Sequence, residues 1–150
     1  MMFVGKVIVF DLDGTICNVD HRRHWVASKP KNWAAWNAGI PLDTPNEDIV
    51  WMLNQFEAVG TTRIILASGR GNEHRAVTEK WLSDNHVYYD SLYMRAEKDN
   101  RKDSIVKVEF LHDITRDWGW PYLWVDDRQQ VVDAIREQGV RVLQVAPGDF

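Results

Sequence analysis

A chain of 150 residues, 45% hydrophobic and 27% charged, has the size and make-up of one globular domain with a real core. Its net charge of −4 argues against a broad, sequence-independent grip on a nucleic acid duplex, but leaves room for a pocket that takes one terminal nucleotide. One cysteine excludes an internal disulfide framework and fits a reducing cytosol. No apolar run reaches the roughly 20 residues of a membrane span, and MMFVGK is too short for a secretory signal, so a cytoplasmic protein is expected.

The first predicted element is a strand. Val7, Ile8, Val9 and Phe10 form an unbroken apolar run, as in a strand buried on both faces of a parallel sheet, and it ends in Asp11-Leu12-Asp13-Gly14-Thr15. The segment Cys17 to Asp43 that follows is polar and aromatic, with Trp33 and Trp36 at helical spacing and Pro30 and Pro41 as punctuation. It reads as a small insertion over the end of the first strand, about residues 18–43, and not as a separate domain. Thr44-Pro45 is expected to start a helix, with Thr44 as cap, Ile49, Leu53 and Phe56 on its inner face, and Gly60 as its stop.

A second strand, Arg63 to Ala67, ends in Ser68-Gly69-Arg70-Gly71, and a helix is predicted over about Glu73 to Ser83. Val87 to Met94 reads as a weaker strand, and a helix is expected from about Lys102 to Ile114. Pro121 to Val125 is a third apolar strand, ending in Asp126-Asp127. Gln129 to Gln138 reads as a helix and Val140 to Val145 as a last strand. Strands alternating with helices of this length predict βαβ units and an α/β fold with a central parallel sheet.

In a parallel sheet the three polar clusters DLDGT, SGR and DD share one edge, so they converge. Two carboxylates two residues apart, Asp11 and Asp13, suit metal-assisted phosphoryl transfer: one holds a cation and attacks phosphorus, the other moves a proton. An acidic turn after a strand accounts for the pentapeptide equally well. A calcium loop does not, because its fifth and twelfth positions hold Thr15 and Arg22. Ser68 is either a phosphoryl ligand, helped by backbone N–H groups, or a helix cap. Asp126 and Asp127 repel one another unless a cation holds them or solvent surrounds them. Lys98, Lys102 and Lys107 are candidates for the fixed positive charge, and spacing does not choose among them. Cys17 is a catalytic thiol or, more in keeping with its place behind the turn, a small buried side chain. His21 and His24 read as surface residues rather than metal ligands.

DLDGT, ASGR, a downstream lysine and VDD, in that order, resemble the four motifs of the haloacid dehalogenase (HAD) superfamily of phosphatases. FDLDGT, SGR, RKDSIVK and the final segment from Asp126 narrow the resemblance to the 3′-phosphatase domains of T-even phage polynucleotide kinase–phosphatases. It implies a Rossmann-like three-layer sandwich with a small cap insertion after the first strand, in one domain over 1–150. It implies Asp11 as nucleophile forming an aspartyl-phosphate and Asp13 as general acid and then base. Asp11, Asp13 (through its carbonyl), Asp126 and Asp127 would hold Mg²⁺, and Ser68 and Lys107 the phosphoryl group. Arg22, Arg70, Asp103, Gly69 and Thr15 would serve the substrate, Asp103 by orienting basic partners. Arg22 and Arg70 have alternatives as a solvated charge and a structural ion-pair partner.

The expected activity is Mg²⁺-dependent removal of 3′-phosphates from nucleic acid ends or nucleoside 3′-monophosphates. The rivals are a 5′-(deoxy)nucleotidase, a small-molecule phosphatase and a non-catalytic phosphate-end-binding module. The chain contains no G-x-x-x-x-G-K-[ST]. It is therefore expected to be a stand-alone phosphatase or the partner of a separate kinase or ligase, in nucleic acid repair in a bacterial or phage-infected cell. The insertion departs from that branch of the superfamily. Trp25, Trp33 and Trp36, mixed with Arg22, Arg23, Lys29 and Lys31, either stack a base beside its phosphate or form the insertion's own small core.

Overall fold

The computed structural model of the protein describes residues 5–149; the first four residues of MMFVGK and the last residue lie outside them. Five parallel strands form the central sheet: β1 (Lys6–Phe10), β4 (Thr62–Gly71), β5 (Ser91–Arg95), β6 (Pro121–Asp126) and β7 (Val142–Gln144), in the order β5-β4-β1-β6-β7. The two short strands β2 (Cys17–Asn18) and β3 (Thr44–Pro45) pair antiparallel beside it.

Alternation along β1 splits the core. Ile8 and Phe10 pack with Ile64 and Leu66 under α2 (Glu47–Ala58) and α3 (Arg75–Asp84), through Leu53, Trp81 and Leu82. Val7 and Val9 pack on the other face with Ile65, Trp124 and the apolar sides of α4 (Asp103–Asp117) and α5 (Gln129–Glu137). Burying each such side chain contributes roughly 1.5–3 kcal/mol, so the two faces together support the expected three-layer α/β sandwich. No helix among the described residues is long and apolar enough to cross a membrane.

The differences from the sequence reading are local. Thr44-Pro45 does not open a helix: Thr44 pairs with Asn18 and Pro45 with Cys17. α2 begins at Glu47, after Asn46 donates its N–H to Ile16 and its side-chain amide to Thr15, both at 2.8 Å. That stitch closes the insertion back onto the DLDGT turn. The strand expected over Val87 to Met94 is confined to Ser91–Arg95, because Val87 caps α3 by donating to the Leu82 carbonyl. The last strand is likewise trimmed to three residues. β4 runs on through the SGR cluster, with a register shift against β5 between Ser68 and Gly71 that turns Arg70 toward β1.

The insertion holds a 3₁₀ turn at Asp20–Trp25 and the short helix α1 (Trp33–Ala38), with Asn32 capping through its side chain. Of its tryptophans only Trp36 is buried; Trp25 and Trp33 are 41% and 50% exposed. A core of its own is therefore one ring deep.

Candidate active site

Strand β1 delivers Asp11 to the sheet edge, where its N–H donates to the Val125 carbonyl at 2.9 Å and sets it beside Asp126. The chain then turns back on itself: the Leu12 carbonyl accepts the Thr15 and Cys17 N–H groups. Gly14 has φ +83°, and the Asp127 carboxylate occupies the place a Cβ would take, so the turn requires glycine twice over.

Three carboxylates meet there. Asp11, Asp126 and Asp127 bring one oxygen each within 4.8 Å of one another. Lys107, 1% exposed on α4, donates to Asp11 at 2.9 Å and to Asp126 at 3.1 Å. Lys98 and Lys102 stay exposed, so the structure selects among the three lysines. Trp124 donates its indole N–H to Asp126 at 3.2 Å, and the Thr15 hydroxyl donates to Asp11 at 3.2 Å. Thr15 is fully buried and faces Asp11 rather than the cleft, which corrects its expected place as a substrate contact.

Burial and the charge of Asp126 raise Asp11 well above the ordinary carboxylate range, against the pull of Lys107. Burial and Asp126 push Asp127 up to about 6. Lys107 stays charged because Asp11 and Asp126 outweigh its burial. Both oxygens of Asp127 are buried with no hydrogen-bond partner among the described residues. Three buried carboxylates against one ammonium, with two orphaned oxygens, form a donor set that a divalent, oxygen-loving cation completes.

The second group is balanced. Arg22 grips Asp43 with two hydrogen bonds, Nε to Oδ1 at 2.7 Å and Nη2 to Oδ2 at 2.6 Å, and reaches Asp13 at 2.7 Å. Arg70 donates to Asp13 at 2.6 Å and to Asp43 at 3.3 Å, and braces itself on the Thr78 hydroxyl at 3.1 Å. Both arginines are buried, which removes the reading of Arg22 as a solvated charge; Arg70 does have the ion-pair partners its alternative reading called for, in Asp13 and Asp43. Burial alone would raise Asp13; the Arg70 and Arg22 guanidiniums overcome it and lower the pKa to about 2. Asp13 is therefore ionised in the free protein.

The flanks complete the edge. Ser68 does not cap a helix; its hydroxyl oxygen accepts the Arg70 N–H at 3.1 Å and keeps its own proton to donate. Asp103 sits between Arg95 (3.2 Å) and Arg128 (3.4 Å). Gly69 permits this, since a Cβ there would overlap the Asp103 carboxylate. Cys17 is fully buried, and burial pushes its thiol far above the thiol range, so it is not a nucleophile.

Sequence reasoning missed Asp43, which no motif flags, together with Thr78 and Arg95. His21 is a surface residue, as expected, and its Nε2 lies 2.7 Å from Asp43 Oδ1. The one available signal was the buried-looking end of the insertion at Asp43. A cleft of about 530 Å³ opens above Asp11, Asp13, Gly69, Arg70, Asp103 and Asp127.

A family model described as "Polynucleotide kinase PNKP phosphatase domain" matches residues 5–150. Two structures of a Pnkp1/Rnl/Hen1 complex, one titled as an RNA repair complex, are each 32% identical to this chain, with TM-scores of 0.81 and 0.82. The matches cover 98% and 97% of this chain but 48% and 44% of those chains, so this chain spans about half their length. A HAD family enzyme from Bacteroides thetaiotaomicron, solved with magnesium and inorganic phosphate, shares the fold at 15% identity and TM-score 0.59, over 98% of this chain and 97% of its own.

Proposed function

The chain belongs to the family of polynucleotide kinase PNKP phosphatase domains and is a phosphatase of the HAD fold, and from that premise we propose that it removes 3′-phosphates from nucleic acid ends or nucleoside 3′-monophosphates through an aspartyl-phosphate, in a Mg²⁺-dependent reaction. The observation that carries this reading is the pairing at one sheet edge of a lysine-held carboxylate, Asp11, with a second carboxylate, Asp13, gripped by two buried arginines.

Asp11, Asp126 and Asp127 would hold Mg²⁺, with the Asp13 carbonyl; the orphaned Asp127 oxygens support that fit. When bound, the ion supplies the positive charge that lets an anionic phosphate meet a carboxylate. Lys107 and the Ser68 hydroxyl hold the phosphoryl oxygens. An Asp11 oxygen forms the new bond to phosphorus as the bond to the 3′-oxygen breaks. That oxygen leaves with the electron pair and takes the proton of Asp13. In the second half Asp13 accepts a proton from water, the water oxygen bonds phosphorus, and the bond to Asp11 breaks, releasing inorganic phosphate. Asp13 is ionised in the free protein, so it takes a proton from solvent as the substrate binds and holds it until the 3′-oxygen leaves. A substrate phosphate adds negative charge beside it and competes for Arg22 and Arg70, and both effects raise its affinity for a proton.

The relatives at 32% identity come from a Pnkp1/Rnl/Hen1 complex, which supports nucleic acid end repair as the setting and a kinase or ligase as partner. The test is phosphate release, with and without Mg²⁺, from a 3′-phosphorylated oligonucleotide, a nucleoside 3′-monophosphate and its 5′ isomer. Mg²⁺-dependent release from the 3′ substrates, lost in Asp11→Asn, is the expected result. Release mainly from the 5′ isomer would overturn the substrate and leave the chemistry.

A further inference from the structure

The cleft is larger than a phosphoryl group needs, and its outer walls carry residues that the reaction does not use. From Asp13 a ladder of alternating cations and rings leads outward. Arg22 contacts Asp13 at 2.7 Å and lies 4.1 Å from the centre of the Trp36 ring. Trp33 stands edge-on to Trp36, with centroids 6.4 Å apart and planes at 88°. Lys31 Nζ sits 5.4 Å from the centre of the Trp33 ring. Trp33 is half exposed and lines the cleft, so one part of its ring is open to a ligand.

The loop between β5 and α4 lines the same cleft. Arg95 and Arg101 are occupied within it: Arg95 donates to the Asp99 and Arg101 carbonyls, and Arg101 pairs with Asp99 and Glu109. Lys98 and Lys102 are exposed and pair with no carboxylate among the described residues. Lys98 holds a left-handed φ of +65°, a conformation a lysine adopts only when its surroundings impose it. Of the acids lining the cleft here, Asp99 is held by Arg101 and Asp103 by Arg95, and Glu73 lies 3.5 Å from His74; Glu97, beside Lys98, is exposed. In a chain of net charge −4, the cleft thus brings three exposed lysines, Lys31, Lys98 and Lys102, to the lining it shares with an exposed ring.

Resting on the phosphatase reading above, we propose that the mouth of the cleft is a second nucleotide subsite, in which Trp33 stacks the base next to the 3′-phosphorylated terminal nucleotide and Lys31, Lys98 and Lys102 hold the phosphodiester between the two. Trp33 stands two side chains further from Asp13 than Arg22 does, so a mononucleotide leaves it empty. The stack accepts any base, because every base has a π face. The occupant is a single strand, since a base inside a duplex has both faces covered by its stacked neighbours.

The experiment compares kcat/KM for a nucleoside 3′-monophosphate, a dinucleotide and a single-stranded decanucleotide, each 3′-phosphorylated. The wild type is expected to favour the dinucleotide over the mononucleotide by about tenfold or more, through KM, with little further gain for the decamer. Trp33→Ala erases that preference and Trp33→Phe restores most of it. Lys98→Ala with Lys102→Ala flattens the salt dependence of the dinucleotide alone. Equal kcat/KM for mononucleotide and dinucleotide in the wild type would overturn the subsite and leave the phosphatase reading intact. So would a Trp33→Ala variant that loses both substrates in proportion. No release from any 3′ substrate would overturn the underlying reading as well.

Discussion

Asp11 and Asp13 stand two residues apart in one turn, and their surroundings drive them in opposite directions. Asp11 shares its space with Asp126 and Asp127 and has one lysine against three carboxylates, so it is raised. Asp13 shares its space with Asp43 and has two arginines against two carboxylates, so it is lowered to about 2. Cys17 completes a second potential metal group with Asp13 and Asp43, but the arginines already balance it. The comparison teaches that a cation is wanted where charge is uncompensated, not wherever acids gather.

The largest expected effect breaks the unbalanced side. Asp11→Asn removes the nucleophile and should lower phosphate release by about four orders of magnitude. It also removes one of three crowded negative charges, so thermal melting without Mg²⁺ should show equal or greater stability. A less stable metal-free variant would mean that Asp11 is not under repulsion.

Next comes the balanced side. Arg70→Ala leaves Asp13 and Asp43 short of a partner in a buried site, and urea unfolding should show a loss of roughly 3–5 kcal/mol. Arg70→Lys should recover only part, because an ammonium cannot reproduce the guanidinium's contacts to Asp13, Asp43 and Thr78. A loss below about 1 kcal/mol would show that solvent, not Arg70, compensates these acids.

The third test sharpens the contrast through pH. Burial raises Asp127 to about 6 in the fold, above the usual carboxylate range of an unfolded chain. The folded protein therefore keeps a proton that the unfolded chain has lost. Without a divalent ion, stability from this group is full below about pH 4 and declines as pH rises through 6. Mg²⁺ needs the ionised carboxylates, so the rise in melting temperature on adding it should be small at pH 5 and grow toward pH 7.5. A shift independent of pH would separate the ion from Asp127. The smallest effect is expected at Cys17: Cys17→Ala should keep activity within about threefold and cost about 1 kcal/mol, and thiol reagents should leave the native protein active.

The sequence by itself determined the features that depend on neighbours along the chain. An apolar run ending in DLDGT, another in SGR and a third in DD each specify a strand and the polar turn after it, and alternation with helices aligns those turns on one edge. Asp11, Asp13, Ser68, Arg70, Asp126 and Asp127 were legible for that reason. Boundaries that depend on distant partners were not: Asn46 starts α2 by bonding back to Thr15 and Ile16, which Thr44-Pro45 could not reveal.

Only the tertiary structure decided which charges meet. Lys107 reaches Asp11 across 96 positions, Arg70 reaches Asp13 across 57, and Arg22 reaches Asp43 across 21. Asp43 belongs to no motif and becomes part of the site only because β2 and β3 close the insertion over the sheet edge. The opposite fates of Asp11 and Asp13 follow from the same cause. A carboxylate's proton affinity is set by burial and by the charges within a few ångströms, and the fold assembles those charges from segments far apart in the chain.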